Sequence, residues 1–361
     1  MIDSPRHSPS GVVLITGVSR YLGGELAARL SADPSVERVI GIDTVAPRPA
    51  ELARLGRTEF VRADIRNPLI AKVIGQARVD TVVHTAALAS PRPLSAQRVT
   101  LQDQHVTGTM QLLAACQTSE HIRRVVVAST TAVYGASAAD PALFTEDMPP
   151  TGRAAGYARS AIEVENHARG FVRRRPDIVV SVLRLASLMG PTVDTALTRY
   201  LSMPIVPTSL GYDPRLQLLH ESDAVDALVC ACGNDYRGVV NVAGEGVVSL
   251  AQVVRRAGRL RLPVPAMAVA AVGAAVRNSG VAEVSSEKAS FLNYGRVVDT
   301  TRLRTQFGFT PQYSSEQALQ AYLDGRSALP RVIVGAVEGA QHRIQTRLER
   351  LAIGAAKMGA V

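Results

Sequence analysis

The sequence predicts an α/β fold built on a doubly wound parallel sheet. Apolar runs of strand length alternate with helical patterns over residues 12–190. The runs are continuously apolar, as expected of parallel strands that helices cover on both faces. With 361 residues, of which 47% are apolar, the chain is long enough for one large core or two adjoining cores. These three observations together predict a Rossmann-like domain.

Each element of this domain follows from its own pattern. The first helix starts in a glycine-containing loop after the first strand, and two further helices are expected at 98–118 and 156–174. The regular alternation ends near residue 190, where prolines mark loops, and 238–244 has the pattern of one further parallel strand. The six earlier strands are predicted at 12–16, 38–43, 59–64, 79–87, 123–130 and 179–185.

The C-terminal part of the chain is expected to be smaller and different in kind. Residues 245–315 are predicted to be mainly helical and to form a cap over the mouth of the sheet. Apolar residues then recur at alternating spacings of three and four, which predicts a terminal amphipathic helix over 326–361. This helix could dock on its own globule, pair with a second chain or lie on an anionic membrane surface, and the first two are favoured.

The composition excludes several classes of protein. The net charge is +9, but the arginines are scattered and aromatic residues make up only 4%, so the basic and aromatic clusters of a nucleic-acid-binding protein are absent. The spacing of Cys116, Cys230 and Cys232 suits neither zinc nor a redox pair, so no metal is expected, and reduced thiols in the cytoplasm are predicted. Residues 1–11 lack the apolar stretch of a secretion signal and are expected to be a flexible leader.

The stretch LITGVSRYLGG at 14–24 is close to a dinucleotide-binding loop. Such a loop needs glycine where the backbone turns with positive φ and where the main chain approaches a pyrophosphate. Gly17 and Gly23 occupy the first and last of these places, whereas Arg20 stands where a middle glycine is usual. Either the loop bulges, or the arginine side chain folds over the phosphates, where its charge is favourable.

Asp43 closes the second predicted strand, at the position where a carboxylate bonds the two ribose hydroxyls. A carboxylate there repels a 2′-phosphate, so NAD is favoured over NADP, although Arg48 and Arg54 nearby keep NADP open. The alternative interpretation is that Asp43 only caps a turn.

The domains expected from these patterns are a dinucleotide-binding domain at 12–190, with returning segments near 216–245 and 298–302, and mainly a substrate or cap region at 191–325.

Seven motifs follow one another along the chain. They are TGVSRYLG at 16–23, ADI at 63–65, HTAA at 84–87, STTAVYG at 129–135, LRLASLMGP at 183–191, LLHESDAVDA at 218–227 and VDTTRLRTQFGFTP at 298–311. In this order they resemble the motifs of the extended short-chain dehydrogenases/reductases, also called the NAD-dependent epimerase/dehydratase family, of which UDP-glucose 4-epimerase is a familiar member. The resemblance implies NAD as cofactor, a nucleotide-sugar-like small molecule as substrate, and a homodimer paired through the helices at 98–118 and 156–174.

The resemblance also implies roles for single residues. Thr130 would be the catalytic hydroxyl and Tyr157 the general acid or base. Asp64 and Ile65 would lie at the adenine. Candidate substrate residues are Ser187, Met189, Arg215 and Arg296. The implied cofactor contacts are Gly17, Arg20, Tyr21, Leu22, Gly23, Asp43, Asp64, Ile65, Thr85, Ala86, Ala87, Thr130 and Tyr157.

The chain departs from the family pattern at the catalytic lysine. The pattern Y-x-x-x-K places both residues on one helical face, where the lysine lowers the pKa of the tyrosine and holds the ribose. In YARSAIEVE at 157–165 the tyrosine is kept, but position 161 is alanine. Arg159 lies about 200° round the helix from Tyr157, so it points away from the tyrosine. Arg153 lies four residues before Tyr157, but Gly156 is expected to interrupt the helix between them.

Two functions therefore stay open. A tyrosine with the reference pKa of about 10 is ionised in roughly one molecule in a thousand at pH 7, a deficit of about 4 kcal/mol. The charge of the oxidised nicotinamide, Arg20 or Arg153 could recover part of it, which predicts an NAD-dependent epimerase or dehydrogenase with weak activity. The alternative is a catalytically inactive NAD(H)-binding protein that acts as a sensor, scaffold or partner-binding module, with association to a membrane surface left open.

His105 and Ser187 also stand where the family has asparagine, and His105, His84 and His220 are predicted to be structural.

Overall fold

The computed structural model describes residues 11–85, 95–150, 156–203, 205–265 and 286–325. The terminal helix predicted over 326–361 and nearly all of the predicted leader lie outside these residues. The described strands, in chain order, are β1 (Gly11–Thr16), β2 (Val36–Asp43), β3 (Glu59–Arg62), β4 (Thr81–His84), β5 (Arg124–Thr130), β6 (Val179–Leu185), β7 (Ser187–Met189), β8 (Ile205–Ser209), β9 (Arg215–Leu216), β10 (Leu218–His220), β11 (Gly238–Val242), β12 (Val248–Ser249), β13 (Leu260–Val264) and β14 (Gly295–Arg296).

Helices connect most of these strands. The predicted helix at 156–174 and strand at 179–185 are confirmed to the residue, and the helix predicted at 98–118 starts three residues earlier. The described helices are α1 (Tyr21–Ala32), α2 (Pro49–Arg54), α3 (Leu69–Gln76), α4 (Ser95–Thr118), α5 (Gly156–Arg174), α6 (Ala196–Leu201), α7 (Glu221–Gly233), α8 (Leu250–Arg256), α9 (Ser286–Tyr294), α10 (Thr301–Thr305) and α11 (Ser315–Asp324), with a 3-10 turn at Thr131–Tyr134.

The central sheet has seven parallel strands in the order β11-β6-β5-β4-β1-β2-β3. The chain runs outward from β1 to β3, then crosses back to β4 on the other side of β1. This reversal is a topological switch point, where a doubly wound sheet opens a crevice at the carboxyl ends of its strands. The predicted α/β fold with a doubly wound sheet is confirmed.

Alternate residues of each strand face opposite sides of the sheet and build separate cores. Val13 and Ile15 of β1 pack with α1 and α7 on one face, while Leu14 packs with α3, α4 and α5 on the other. A third core, which includes Leu197, Leu201 and Val253, lies in the C-terminal cap.

The cap contains more strand than its sequence predicts. Strand β9 pairs with β12 and β14, and β8 pairs with β13, within or beside the region expected to be mainly helical. Strands β9, β12 and β14 have only two residues each, which is too short to show a period, so periodicity cannot reveal them. Within the described ranges, none of the helices is both long and apolar enough to cross a bilayer.

Candidate active site

The glycine loop joins β1 to α1 through two positions that accept only glycine. Gly17 has φ of 81°, and its N–H donates to the Ile42 carbonyl at 2.8 Å. A Cβ atom on Gly23 would lie under 3.0 Å from the Gly17 carbonyl oxygen and from Thr85 Oγ1. The amino end of α1 is therefore pressed against the loop, and the unpaired amide groups of a helix start favour an anion at such a place.

Arg20 occupies the N-cap position of α1 without distorting the loop. Its backbone is extended, with φ of −114° and ψ of 159°, and its N–H donates to the Gly17 carbonyl at 3.1 Å. Any L-residue adopts this conformation, so a middle glycine is not required for the turn. The side chain is exposed and lies within electrostatic reach of the Asp43 carboxylate.

Asp43, at the end of β2, is nearly buried and fastens the glycine loop. Its Oδ2 accepts the Ser19 N–H at 3.2 Å. Its Oδ1 accepts the N–H groups of Thr44 at 2.8 Å and Val45 at 3.3 Å. The turn-capping role weighed for this residue is thus present, in the place expected for a ribose-binding carboxylate.

The ADI motif lies beside α4. Asp64 forms a two-pronged ion pair with Arg66, with N···O distances of 2.5–3.0 Å, and this guanidinium holds the pKa of Asp64 below its ordinary range. The side chain of Ile65 fills the space above Gly108, where a Cβ atom would lie under 3.0 Å from it. Gly108 therefore lets α4 approach the predicted adenine end.

The HTAA motif begins with two buried side chains. Thr85 Oγ1 donates to the Thr16 carbonyl at 2.6 Å, so its hydroxyl hydrogen is used within the protein. His84 Nδ1 lies 2.8 Å from Thr16 Oγ1, and its Nε2 lies 2.8 Å from Thr109 Oγ1, as expected of a structural histidine. Ala86 and Ala87, also predicted cofactor contacts, lie outside the described residues.

His105 and His220 also have structural surroundings. Burial and the nearby charge of Arg20 lower the pKa of His105 to about 4, so its ring is neutral at pH 7. His220 caps α7 by accepting the Ser222 N–H at 3.2 Å and stacks on Tyr313.

Thr130 ends β5, and its side chain caps the 3-10 turn that follows. Thr130 Oγ1 accepts the Ala132 N–H at 3.2 Å, which leaves the hydroxyl hydrogen for donation. The helix α5, whose first turn carries Tyr157, packs against β5 and this turn. Tyr157 is half-buried.

Ala161 lies one helical turn after Tyr157, and its methyl group is buried in the core with Val133 and Tyr134. Arg159 is exposed and pairs with Glu163 at 3.2 Å on the outer face of α5, so it does not replace the missing cation. Arg153 lies outside the described residues.

The candidate substrate residues have different surroundings. Arg296 Nε donates to the Gly135 carbonyl at 2.7 Å, in the loop that follows Thr130, and Arg215 lies on the neighbouring strand. Ser187 is half-buried at the start of β7. Met189, predicted as a substrate contact, is 0% exposed, and its side chain packs in the cap core.

A buried polar network was missed by reasoning from sequence. Glu165 of α5 accepts hydrogen bonds from Ser129 Oγ at 2.6 Å and from Arg184 of β6. Arg184 also donates to the Tyr134 hydroxyl at 2.8 Å, which donates to Asn241. The available signal was Arg184 inside the apolar run of β6, because such a charge is buried only when it is paired.

The fold, the glycine loop and the carboxylate at the end of β2 define a dinucleotide-binding α/β protein. The model of the NAD-dependent epimerase/dehydratase family matches residues 13–243, so the chain belongs to that family of extended short-chain dehydrogenases/reductases, whose cofactor is NAD. The uncharacterized protein Rv0501 of Mycobacterium tuberculosis is 48% identical over 320 residues, which cover 88% of this chain and 85% of that protein. UDP-glucose 4-epimerase of Mycolicibacterium smegmatis is 28% identical over 186 residues, covering 50% of this chain and 57% of the epimerase.

Solved structures share the fold over most of the chain. UDP-glucose 4-epimerase of Thermotoga maritima with UDP-glucose has a TM-score of 0.69 at 17% identity. MoeE5 in complex with UDP-glucuronic acid and NAD has a TM-score of 0.67 at 22% identity. Each likeness covers 87% of this chain and 98% of the other chain.

Proposed function

We propose that this chain binds NAD at the switch point and uses it for slow oxidation and reduction of a carbinol carbon in a nucleotide-linked sugar or a similar hydroxylated substrate. Within this class, an epimerase or a simple dehydrogenase is preferred. The observation that carries the proposal is the close packing of Gly23 against the Gly17 carbonyl. This packing leaves the amino end of α1 open to a pyrophosphate. The ligands named for the structural neighbours support this substrate class.

The residues present fit the cofactor. The glycine loop, with Gly17 and Gly23, would hold the pyrophosphate, and Asp43 would accept hydrogen bonds from the adenine ribose. When bound, NAD supplies a hydride acceptor. The Tyr157 phenolate would take the proton of the substrate hydroxyl and become the neutral phenol, and Thr130 would hydrogen-bond the same substrate oxygen.

Low turnover follows from Ala161. A methyl group cannot supply the positive charge that favours the phenolate of Tyr157 or hold the ribose. The same observation favours a second candidate function, an NAD(H)-binding protein without turnover that works as a sensor, scaffold or partner-binding module.

On the family resemblance we also propose a cytoplasmic homodimer paired through α4 and α5. Sedimentation would test the dimer.

The two candidates are separated by one set of assays on the purified chain. Bound nucleotide is released and quantified, and NAD reduction is followed by absorbance after addition of UDP-glucose or UDP-glucuronic acid. The same assays are run on Ala161→Lys, and on Asn166→Lys as a control that adds the same charge at an exposed position of α5.

We expect slow reduction by the native chain and a rate at least tenfold higher for Ala161→Lys, since a tenfold change needs only about 1.4 kcal/mol of the missing stabilisation. Asn166→Lys is expected to behave as the native chain. If NAD is bound, neither sugar reduces it and only Ala161→Lys is active, the non-catalytic function holds for the native chain. If no nucleotide binds to any variant, both candidates are wrong.

A further inference from the structure

The carboxyl ends of β1 and β4 carry two buried polar side chains on the face of the sheet that α4 covers. Thr16 shares the face of Leu14, two residues before it, because side chains alternate along a strand. His84 shares the face of Val82 for the same reason. Leu14 and Val82 both belong to the core that Leu112 of α4 joins. At this edge of the sheet, the apolar contact with α4 therefore gives way to a polar one.

His84 links the sheet to α4 through both ring nitrogens. Its Nδ1 lies 2.8 Å from Thr16 Oγ1, and its Nε2 lies 2.8 Å from Thr109 Oγ1. The Thr109 hydroxyl donates its own hydrogen to the His105 carbonyl at 2.8 Å, so it accepts from His84 Nε2–H. The Nδ1 atom then accepts from the Thr16 hydroxyl. Both threonines are 0% exposed and His84 is 1% exposed, so loss of one partner leaves a buried polar atom without a hydrogen bond.

The turn of α4 that is held in this way lies against the predicted adenine end. Gly108 precedes Thr109, and a Cβ atom at Gly108 would lie under 3.0 Å from two side-chain carbon atoms of Ile65. The Ile65 side chain is therefore in close contact with the backbone of α4 at this turn. Because packed side chains have little room to follow a shift, movement of this turn displaces Ile65 or opens a gap beside it.

The other end of the link lies next to the glycine loop. The Thr16 carbonyl accepts the Thr85 hydroxyl at 2.6 Å. Thr85 Oγ1 in turn packs against Gly23, where a Cβ atom would lie under 3.0 Å from it. The end of β1 therefore supports the start of α1 through Thr85 and the α4 turn through His84.

We propose that His84 is a positioning residue for the adenine half of NAD. It holds the α4 turn at Gly108 and Thr109 against the end of β1, and this turn fixes the place of Ile65. The proposal rests on the proposed binding of NAD, with the adenine at Ile65. Without the hydrogen bond from His84 to Thr109, the α4 turn shifts to find another partner for the ring N–H, because an unsatisfied buried donor is costly.

Substitutions at Thr109 test the link and leave His84 and Ile65 in place. Thr109→Val replaces the hydroxyl by a methyl group, so the acceptor for His84 Nε2–H is lost, whereas Thr109→Ser keeps the hydroxyl. Thr118→Val is the matched control, because it makes the same change on α4 at an exposed residue whose hydroxyl donates to the Ala115 carbonyl at 3.0 Å. Affinities of the full-length chain for NAD, and for AMP as a competitor of NAD, are measured by calorimetry.

We expect Thr109→Val to weaken the binding of NAD and of AMP by the same factor, about tenfold, which matches the cost of one unpaired buried group. Thr109→Ser and Thr118→Val are expected to bind both ligands within about twofold of the native chain. Equal factors indicate a defect confined to the adenine half. A general loosening of the site would instead weaken NAD more than AMP, because NAD contacts more of the site.

The proposal is overturned if Thr109→Val binds AMP as tightly as the native chain, if Thr109→Ser is as weak as Thr109→Val, or if NAD loses clearly more affinity than AMP. AMP that does not compete with NAD in the native chain also overturns it. Absence of NAD binding to the native chain means instead that the proposed function is wrong.

Should Thr109→Val fail to fold, two variants of His84 decide the question. The amide of His84→Gln reaches about as far as Nε2, so this variant is expected to keep most of the affinity for AMP. The amide of His84→Asn reaches only about as far as Nδ1, so this variant is expected to lose it. Equal affinity of the two variants for AMP would overturn the proposal.

Discussion

Glu165 and Arg184 form a buried ion pair that ties α5 to β6. The Arg184 Nε lies 3.0 Å from Glu165 Oε1 and its second nitrogen lies 2.6 Å from Oε2, with the two side chains 1% and 2% exposed. Ser129, the residue before Thr130, donates to the same carboxylate. Because Glu165 lies two turns after Tyr157 on α5, the pair fixes the helix that carries the candidate base against the strand that carries the candidate hydroxyl.

Replacing Glu165 by alanine is expected to lower the free energy of unfolding by about 3–5 kcal/mol, because it leaves the Arg184 charge buried and unpaired. Glu163→Ala, which removes an exposed partner of Arg159 on the same helix, is expected to cost no more than about 1 kcal/mol. Urea denaturation of the two variants measures both values. Equal, small costs would contradict the importance of the buried pair.

Gly23→Ala is expected to abolish or greatly weaken NAD binding and to lower the free energy of unfolding by about 1–3 kcal/mol. The added methyl group would meet the Gly17 carbonyl and Thr85, so α1 must move away from the loop. Gly75→Ala is the control, because a Cβ there has nothing within 4 Å and alanine favours the helix. Calorimetric titration with NAD checks the prediction, and native affinity in Gly23→Ala would refute it.

Arg20→Ala is expected to weaken NAD binding about fivefold, through loss of an exposed charge beside the phosphates worth about 1 kcal/mol. The loss should shrink as salt is added, because exposed charges are screened. Arg29→Ala, at the other end of α1, is expected to leave the affinity unchanged. Unchanged or tighter binding by Arg20→Ala would mean that the guanidinium does not reach the phosphates.

His84 is expected to make the protein sensitive to acid. The Thr109 hydroxyl donates to the His105 carbonyl, so it accepts from His84 Nε2–H, and Nδ1 accepts from the Thr16 hydroxyl. Burial lowers the pKa of this neutral ring to about 3. Between pH 6.5 and 3 the unfolded chain therefore binds a proton that the folded chain does not, and stability falls as the pH falls through this window.

The expected contribution of this one group is about 1.4 kcal/mol lost per pH unit inside the window, with no further loss below it. Urea denaturation at several pH values is predicted to show a shallower dependence for His84→Gln than for the native chain. His121→Gln, which alters an exposed histidine, should keep the native slope. The same slope in all three proteins would show that His84 does not titrate on unfolding.

The sheet and the glycine loop could be predicted because their signals are local. The helical pattern located α5 and a continuous apolar run located β6, both to the residue, and spacing located Gly17 and Gly23. The spacing could not predict the backbone conformation of Arg20, because a loop sequence does not specify whether a non-glycine residue will be extended.

The remaining features depend on contacts between distant elements. Met189 lies within the motif LRLASLMGP, yet its side chain packs in the cap core, which a motif alone does not reveal. The partnership of Glu165 with Arg184 requires the packing of α5 on β6. The hydrogen bonds that Glu221 accepts from Thr192 and Val193 require two segments that lie apart in the chain to meet.

The predicted nucleotide cradle and the candidate reacting groups lie on opposite sides of β4. Gly17 and Asp43 belong to β1 and β2 and the turns that follow them, whereas Thr130 and Tyr157 belong to β5 and α5. We therefore expect a side-chain exchange at position 161 to leave the glycine loop and the end of β2 in place. If the proposed function holds, a lineage with this architecture can lose or regain catalysis by substitution of one codon without rebuilding the scaffold that retains the coenzyme.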